Sequence, residues 1–284
     1  MLSEVRMTSR VGYPMYVCAL LAAAAVLSGT AAAQGRGALV EAIGTTEPDP
    51  LPPGGPAPRM ADGRPDLSGV WFSGVIGRPS AWSRTRREPL EEEPVPVRPE
   101  VKAKLEGMTR TEIQLLSPGV NCLPLGVPGV FVSNPHPFQI ITIPGMFVQL
   151  IEVSNDWRLV YTDKRPHPEY PDPLFYGNSS AWWEGDTLVI DSIAIDERTW
   201  VMNNGWYHSD QLRIVERIRR PSRNYLEYQF TAEDPKVLTR PWTSGWRKYS
   251  LSQEADQLFE NFCTNNQNPE QFKKLLDLEV DRKR

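Results

Sequence analysis

The sequence has few of the residues from which metal and covalent sites are most often built. It contains only three cysteines and three histidines in 284 residues. It has no CxxCH haem motif, no HExxH motif, no GxSxG elbow and no glycine-rich phosphate loop. These absences argue against haem proteins, metalloproteases, serine hydrolases and nucleotide-dependent enzymes. We therefore expect a protein that works without a cofactor.

Long apolar runs are also scarce, and the clearest one lies near the start of the chain. The run from Tyr16 to Leu27 follows Arg6 and Arg10, and small residues that a signal peptidase accepts come after it. It is too short to cross a bilayer comfortably as a helix. The pattern predicts a signal peptide over residues 1–33 and a periplasmic or secreted protein with no stable membrane insertion after cleavage. The alternative is an uncleaved membrane anchor.

The charge balance and the cysteines agree with export. The net charge is −4, and no basic stripe is present, so we expect no nucleic-acid partner. Cys122 and Cys263 are the cysteines that remain once the predicted signal peptide is removed. A pair of cysteines in an oxidising compartment favours a disulfide bond, and two buried free thiols are the alternative.

The remaining chain divides into two parts by composition. Residues 34–64 are rich in proline and glycine without apolar periodicity, which predicts a disordered lead-in. Residues 65–284 are expected to form a single domain. A helix is predicted from Pro99 to Leu116, and two short helices are predicted over residues 254–262 and 269–278.

From Phe138 onward the sequence has the pattern of antiparallel strands. Runs of six to eight β-prone residues are separated by turn residues such as Pro144-Gly145 and Glu184-Gly185-Asp186. The predicted fold class is therefore all-β and mainly antiparallel, namely a lipocalin-like β-barrel with a few short peripheral helices.

Alternation in one predicted strand places a carboxylate in the core. In "QLRIVERI", Leu212, Ile214, Glu216 and Ile218 share one face, and this apolar face should point inward. A buried carboxyl group needs a cation or a polar pocket. Two interpretations stay open: Glu216 pairs with an arginine such as Arg240 or Arg247, or it lines a ligand pocket. Asp191 poses the same question within Thr187, Val189, Asp191 and Ile193 on the preceding strand.

Several segments resemble known families. "PDLSGVW" (65–71) resembles the opening strand of lipocalin-like barrels, in which Gly-x-Trp closes the base of the barrel. "RPHPEY" (165–170), "WEGDTLVID" (183–191), "HSDQLRIVERIRR" (208–220) and "EDPKVLTRPW" (233–242) together resemble a family of exported bacterial proteins, over roughly residues 62–265. This resemblance implies an exported β-rich domain and no particular reaction. The chain departs from the family pattern at Asn178 and Trp182, where histidine and arginine are expected.

His167 is the strongest candidate for chemistry. Arg165 and Glu169 flank it, and a carboxylate neighbour suits an imidazole for acid–base work. In this interpretation His167 is the base or acid, Arg165 steadies negative charge, and His208 or Asp191 assists. The alternative is a loop histidine packed on a nearby tyrosine. The three histidines show no metal-ligand spacing, so no metal is predicted.

Aromatic and polar residues supply the candidate ligand-binding set. Nine tryptophans are many for this length, and most should fill the core. Trp200 and Trp206 flank a polar loop ahead of His208, which is the expected lip of a pocket. The predicted ligand-binding residues are Tyr161, Trp200, Asn203, Trp206 and Glu216.

Taken together, these features predict an exported enzyme without a cofactor. It would be a lyase, isomerase or hydrolase acting on a small cyclic or hydrophobic substrate. The alternative is a non-catalytic, lipocalin-like protein that binds a hydrophobic or aromatic ligand. A third hypothesis is a structural or partner-binding envelope protein that uses the proline-rich lead-in to reach a complex. The sequence does not specify an oligomeric state.

Overall fold

The computed structural model describes residues 52–73, 92–134, 136–202, 205–252 and 257–263. The predicted signal peptide, residues 34–51 of the predicted lead-in, Asn203 and the predicted helix at 269–278 lie outside the described residues. Antiparallel strands dominate the described part, with a few short helices, which confirms the predicted all-β fold.

The strands follow the sequence pattern closely. In chain order they are β1 (Gly69–Ser73), β2 (Phe138–Ile143), β3 (Met146–Ile151), β4 (Asp156–Tyr161), β5 (Asn178–Glu184), β6 (Thr187–Ile193), β7 (Trp200–Met202), β8 (Trp206–Tyr207), β9 (Arg213–Ser222), β10 (Tyr225–Glu233), β11 (Trp242–Thr243) and β12 (Arg247–Leu251).

Nine of these strands form one sheet that curls into a nearly closed barrel. Their order is β4-β3-β2-β1-β12-β10-β9-β6-β5, and neighbouring strands are antiparallel. β11 adds to β10, while β7 and β8 form a separate two-stranded ribbon. β4 and β5 are the two ends of the sheet, and within the described residues no backbone ladder joins them. The space between β4 and β5 is called the seam below.

Alternation decides what faces the barrel interior. In β9 the buried residues Ile214, Glu216 and Ile218 alternate with outward-facing residues, as predicted. Eight aromatic rings of the described residues are almost fully buried: Trp71, Phe131, Phe138, Phe147, Tyr228, Phe230, Trp242 and Tyr249.

Trp71 and Arg220 link β1 to β9. The indole nitrogen of Trp71 donates to the carbonyl of Leu67, and the Arg220 guanidinium lies 4.9 Å from the Trp71 ring centre. Arg220 Nη1 also donates to the backbone carbonyls of Asp66 and Ser68. Burial lowers the pKa of Arg220 to about 10.

The helices are shorter than predicted. The single helix expected from Pro99 to Leu116 is wrong, because it is two helices, α1 (Pro99–Gly107) and α2 (Arg110–Leu116). Thr109 starts α2: its hydroxyl accepts from the backbone of Glu112, whose carboxylate accepts from the backbone of Thr109. This capping box satisfies the free N–H groups of a new helix and so breaks the longer one.

The other helices are few. A third helix, α3 (Gly129–Val132), precedes β2. Residues 257–262 form no helix, so the prediction for 254–262 is wrong in its described part. None of the helices in the described ranges has both the length and the apolar content to cross a membrane.

Residues 52–64 make defined contacts with the barrel, although the sequence assigns them to a disordered lead-in. The backbone N–H of Asn224 donates to the carbonyl of Pro53, and Arg59 forms an ion pair with Asp186. Asp186 belongs to the turn between β5 and β6, where Gly185 has a φ of +59°. The side-chain amide of Asn224 also donates to the carbonyl of Pro52. The proline-rich stretch is therefore held by two hairpin turns, the β5–β6 turn with Asp186 and the β9–β10 turn with Asn224.

Cys122 and Cys263 form a disulfide bond, as predicted. It joins the turn after α2 to the segment that follows β12. A disulfide that spans 141 residues restricts the unfolded chain strongly.

Candidate functional site

Glu216 lies in the barrel interior and is fully buried. The inward orientation predicted from sequence is confirmed. Its partner is Arg158 on β4, whose Nη2 lies 2.6 Å from Glu216 Oε2. The expected partners Arg240 and Arg247 were wrong, because each pairs with a glutamate of the 92–93 segment instead.

The ion pair is part of a larger buried polar cluster. Arg158 Nη2 also donates to Ser179 Oγ at 3.1 Å and to Ser192 Oγ at 3.0 Å. The Tyr228 hydroxyl donates to Glu216 Oε1 at 3.1 Å. Burial raises the pKa of Tyr228, so this hydroxyl stays protonated. Arg158 thus reaches from β4 across the seam to β5, β6 and β9.

Gln149 and Arg158 present buried polar atoms that have no hydrogen-bond partner among the described residues. These atoms are Nε and Nη1 of Arg158 and both amide atoms of Gln149. Gln149 lies directly opposite Arg158 in the β3–β4 ladder, and the inner face of this ladder is buried. Buried polar atoms are normally bonded, because an unmade bond costs about 1–3 kcal/mol. The pair therefore offers three nitrogen atoms, which carry five N–H donors, and one C=O acceptor to a guest molecule. We call Gln149, Arg158 and Glu216 the inner polar cluster.

Aromatic rings occupy the interior next to this cluster. Phe131 of α3 stacks on Tyr228 with a ring separation of 4.0 Å, and Phe138 meets Phe131 edge-on. The Tyr249 hydroxyl donates to the backbone carbonyl of Phe131 and so anchors α3 inside the barrel. This side of the cluster is packed, so any guest of the cluster has to be small.

His167 lies outside the barrel, on the segment that connects β4 to β5. Its Nδ1 is 2.7 Å from the amide oxygen of Asn178, which can only accept, so Nδ1 carries a hydrogen. Its Nε2 is buried and lies 3.5 Å from Asp191 Oδ2. The structure thus brings together two of the four predicted catalytic residues, His167 and Asp191.

Asp191 is held mainly by an arginine. Arg213 forms a two-pronged ion pair with it, with both N···O distances at 2.9 Å. The hydrogen bond with Asp191 raises the pKa of Arg213. Asp191 faces the outside of the sheet, where His167 and Arg213 cover it. The negative charge of the Asp191 carboxylate is therefore balanced by Arg213, and the His167 imidazole is its more distant neighbour.

Arg165 and Tyr161 contact each other on the outer surface. Arg165 Nη2 lies 2.6 Å from Asp163 Oδ2, and the guanidinium lies 3.7 Å from the Tyr161 ring centre. The hydrogen bond with Arg165 lowers the pKa of Asp163 to about 2. The guanidinium of Arg165 thus contacts Asp163 and Tyr161. The outward orientation of Tyr161 separates it from the inner polar cluster.

His208 and the two tryptophans expected near it are buried. His208 Nδ1 donates to the carbonyl of Ser209, and Nε2 lies 2.9 Å from the Thr199 hydroxyl. Burial lowers the pKa of His208, which favours the neutral imidazole. Trp206 packs edge-on against Trp242, and Trp200 is also buried. Both tryptophan rings pack inward, and neither lines the groove described next, whereas Asn203 of the predicted lip lies outside the described residues.

A groove of about 810 Å³ lies on the outside of the barrel and shares Arg213 with the His167–Asp191 pair. Its volume is in the range of small-molecule sites. Its floor is apolar, with Ile195 and Leu212, and its rim carries charges of both signs. It is lined by Pro171, Pro173, 193–198, 210–213, Glu233 and Pro235.

Sequence reasoning missed Arg158 and Gln149. The signal was present, because "DWRLVY" alternates as β9 does and places Arg158 on the same face as Val160. "MFVQLI" likewise places Gln149 with Phe147 and Ile151. The rule that identified Glu216 would have identified both residues.

Comparisons with protein-family models, with curated proteins and with solved structures gave no match to this chain.

Proposed function

We propose that this protein binds a small molecule inside its barrel, with Arg158 and Gln149 contacting the polar end of the ligand. The observation that carries this proposal is the set of buried donors and acceptors on these two side chains, which lack partners among the described residues. Such groups are stabilised when a ligand supplies the missing bonds.

The charges of the cluster favour a neutral ligand. Glu216 already neutralises Arg158 at 2.6 Å, so an anionic guest would add an unpaired charge to the interior. A carbonyl group can accept from the Arg158 and Gln149 donors, and an amide can also donate to Gln149 Oε1. Because aromatic rings pack beside the cluster, the ligand is a compact cyclic or aromatic molecule that carries a carbonyl, amide or hydroxyl group.

The seam is the proposed access path. β4 and β5 are connected by side chains and by the 162–177 segment. Examples are the bond from the Tyr176 hydroxyl to Asp156 and the bond from the Lys164 N–H to the carbonyl of Ala181. Such contacts break individually, whereas a backbone ladder breaks cooperatively. The disulfide bond supports a location in an oxidising compartment, the periplasm or the exterior.

The test uses benzamide as a neutral probe and benzoate as its charged counterpart. We expect benzamide to bind with a dissociation constant on the order of a millimolar, and benzoate to bind more weakly. Gln149→Leu should weaken benzamide binding about tenfold, because it removes the amide from the cluster. Titrations followed by ligand-observed NMR measure both effects.

Gln211→Leu is the matched control, since Gln211 is exposed and lines the outer groove. It should leave benzamide binding unchanged. If Gln211→Leu weakens binding and Gln149→Leu does not, the groove is the site and the interior proposal is wrong.

A second candidate function is the acid–base enzyme predicted from the sequence. The observation that favours it is the 3.5 Å approach of His167 Nε2 to Asp191 Oδ2 beside the groove. His167→Ala should then abolish turnover in an untargeted metabolite assay while the circular dichroism spectrum is unchanged. His136→Ala is the control, because His136 also lies beside a carboxylate, that of Glu152. Equal turnover by the wild type and His167→Ala would exclude this function.

A further inference from the structure

The outer face of β2, β3 and β4 is unusually apolar. Its outward residues form three rows across the strands, and these rows follow the pairing of the strands. The rows are Gln139–Leu150–Trp157, Ile141–Val148–Leu159 and Ile143–Met146–Tyr161. We call these nine residues the outer apolar face.

This face is exposed to solvent. Five of its side chains (Ile141, Ile143, Trp157, Leu159 and Tyr161) are 38–63% exposed. An antiparallel sheet with one face in the core usually has polar residues on the other face. Contiguous exposed apolar patches on soluble proteins mark interaction sites. The outer apolar face therefore requires an explanation that the inner polar cluster does not supply.

We infer that the outer apolar face is the interface of a homodimer, in which it packs against the same face of a second copy. No charged residue is among its nine members, so two copies do not repel each other. A C2 contact requires such a self-compatible patch. Sheets pack face to face about 10 Å apart through interdigitated apolar side chains, and this face has them in regular rows.

The area of the face sets the expected strength of the dimer. Covering it in both copies removes on the order of 1,000 Å² from water, which is the lower limit for specific interfaces. The dimer is therefore concentration-dependent. An obligate dimer would need a larger contact.

The charges around the face argue against an anionic membrane as the occupant. Lys164 and Arg165 follow Tyr161, but Arg165 forms an ion pair with Asp163, which offsets its positive charge. The whole chain carries a net charge of −4. Attraction to anionic lipid headgroups needs a cluster of unpaired basic residues at the surface.

Sedimentation velocity of the purified protein between roughly 1 and 200 µM tests the inference, since weak dimers dissociate across this range. We expect the wild type to shift from monomer to dimer with concentration. Leu159→Glu should raise the dissociation constant at least 100-fold, because each copy would bury a carboxylate at the centre of the contact. If Leu159→Glu does not fold, Ile141→Lys tests the same row.

Leu174→Glu is the matched control, because Leu174 is also exposed but lies on the segment between β4 and β5. It should leave the dimer unchanged. A wild type that stays monomeric overturns the inference, as does a dimer that Leu159→Glu leaves intact or that Leu174→Glu weakens equally. Co-sedimentation of the wild type, but not of Leu159→Glu, with phosphatidylglycerol vesicles would assign the face to a membrane and also overturn it.

Discussion

Replacing Arg158 with methionine is expected to lower the free energy of unfolding by about 3–5 kcal/mol. Glu216 is fully buried, and without Arg158 the Tyr228 hydroxyl is the one side chain among the described residues that still donates a hydrogen bond to it. An unpaired charge in this position is costly to keep away from water. Urea unfolding at neutral pH, followed by tryptophan fluorescence, measures the loss.

The double variant Arg158→Met/Glu216→Leu separates this cause from simple loss of packing. It should be more stable than either single variant, because no unpaired charge is left. Arg217→Met is the control, since Arg217 lies on the outer face of β9 and pairs with the exposed Glu184. An exposed pair of this kind contributes at most about 1 kcal/mol. If Arg158→Met and Arg217→Met lower the free energy of unfolding equally, Glu216 does not become a costly unpaired charge when Arg158 is removed.

Removing the disulfide bond should lower the free energy of unfolding by an amount similar to that expected for Arg158→Met. The bond closes a loop with a sequence separation of 141, for which the chain-entropy relation gives about 5 kcal/mol. We expect Cys122→Ser/Cys263→Ser to unfold at a much lower urea concentration than the oxidised wild type. The reduced wild type should match the double variant.

The control is the effect of reductant on the double variant, which should be nil. Alkylation of the non-reduced protein followed by mass spectrometry checks the bond itself. If Cys122 and Cys263 both react with the alkylating reagent without reduction, the disulfide bond is absent and cannot stabilise the protein.

The strands could be predicted because their information is local. Alternation and turn residues identified the hairpins from Phe138 onward, and the alternation in β9 placed Glu216 inside the barrel. The partner of Glu216 could not be predicted in this way. β4 and β9 are not neighbours in the sheet, and Arg158 reaches Glu216 only because the sheet curls until its two ends approach each other. Closure of a barrel depends on the whole chain, and the pattern of a short segment does not predict it.

The predicted site residues show the same limit. His208 and Trp206 lie in segments with the composition of a pocket lip, yet both are buried in the fold. Burial of a large ring is favourable wherever the chain can turn inward, and this depends on distant elements such as β11, which supplies Trp242. His167 and Asp191 come together because the 162–177 segment folds back over β5 and β6, a path that composition does not specify.

Ligand binding as proposed requires Gln149 and Arg158 to form a recognition site inside the barrel. The most direct measurement is a ¹H–¹⁵N correlation spectrum of the labelled protein titrated with benzamide, with the side-chain signals of Gln149 and Arg158 assigned. We predict that the Gln149 amide and Arg158 Nε–H signals shift with a common saturation curve, while the backbone signals of Ile195 and Leu212 in the groove do not. Shifts confined to the groove, or no shift of the Gln149 and Arg158 signals, would contradict ligand binding inside the barrel.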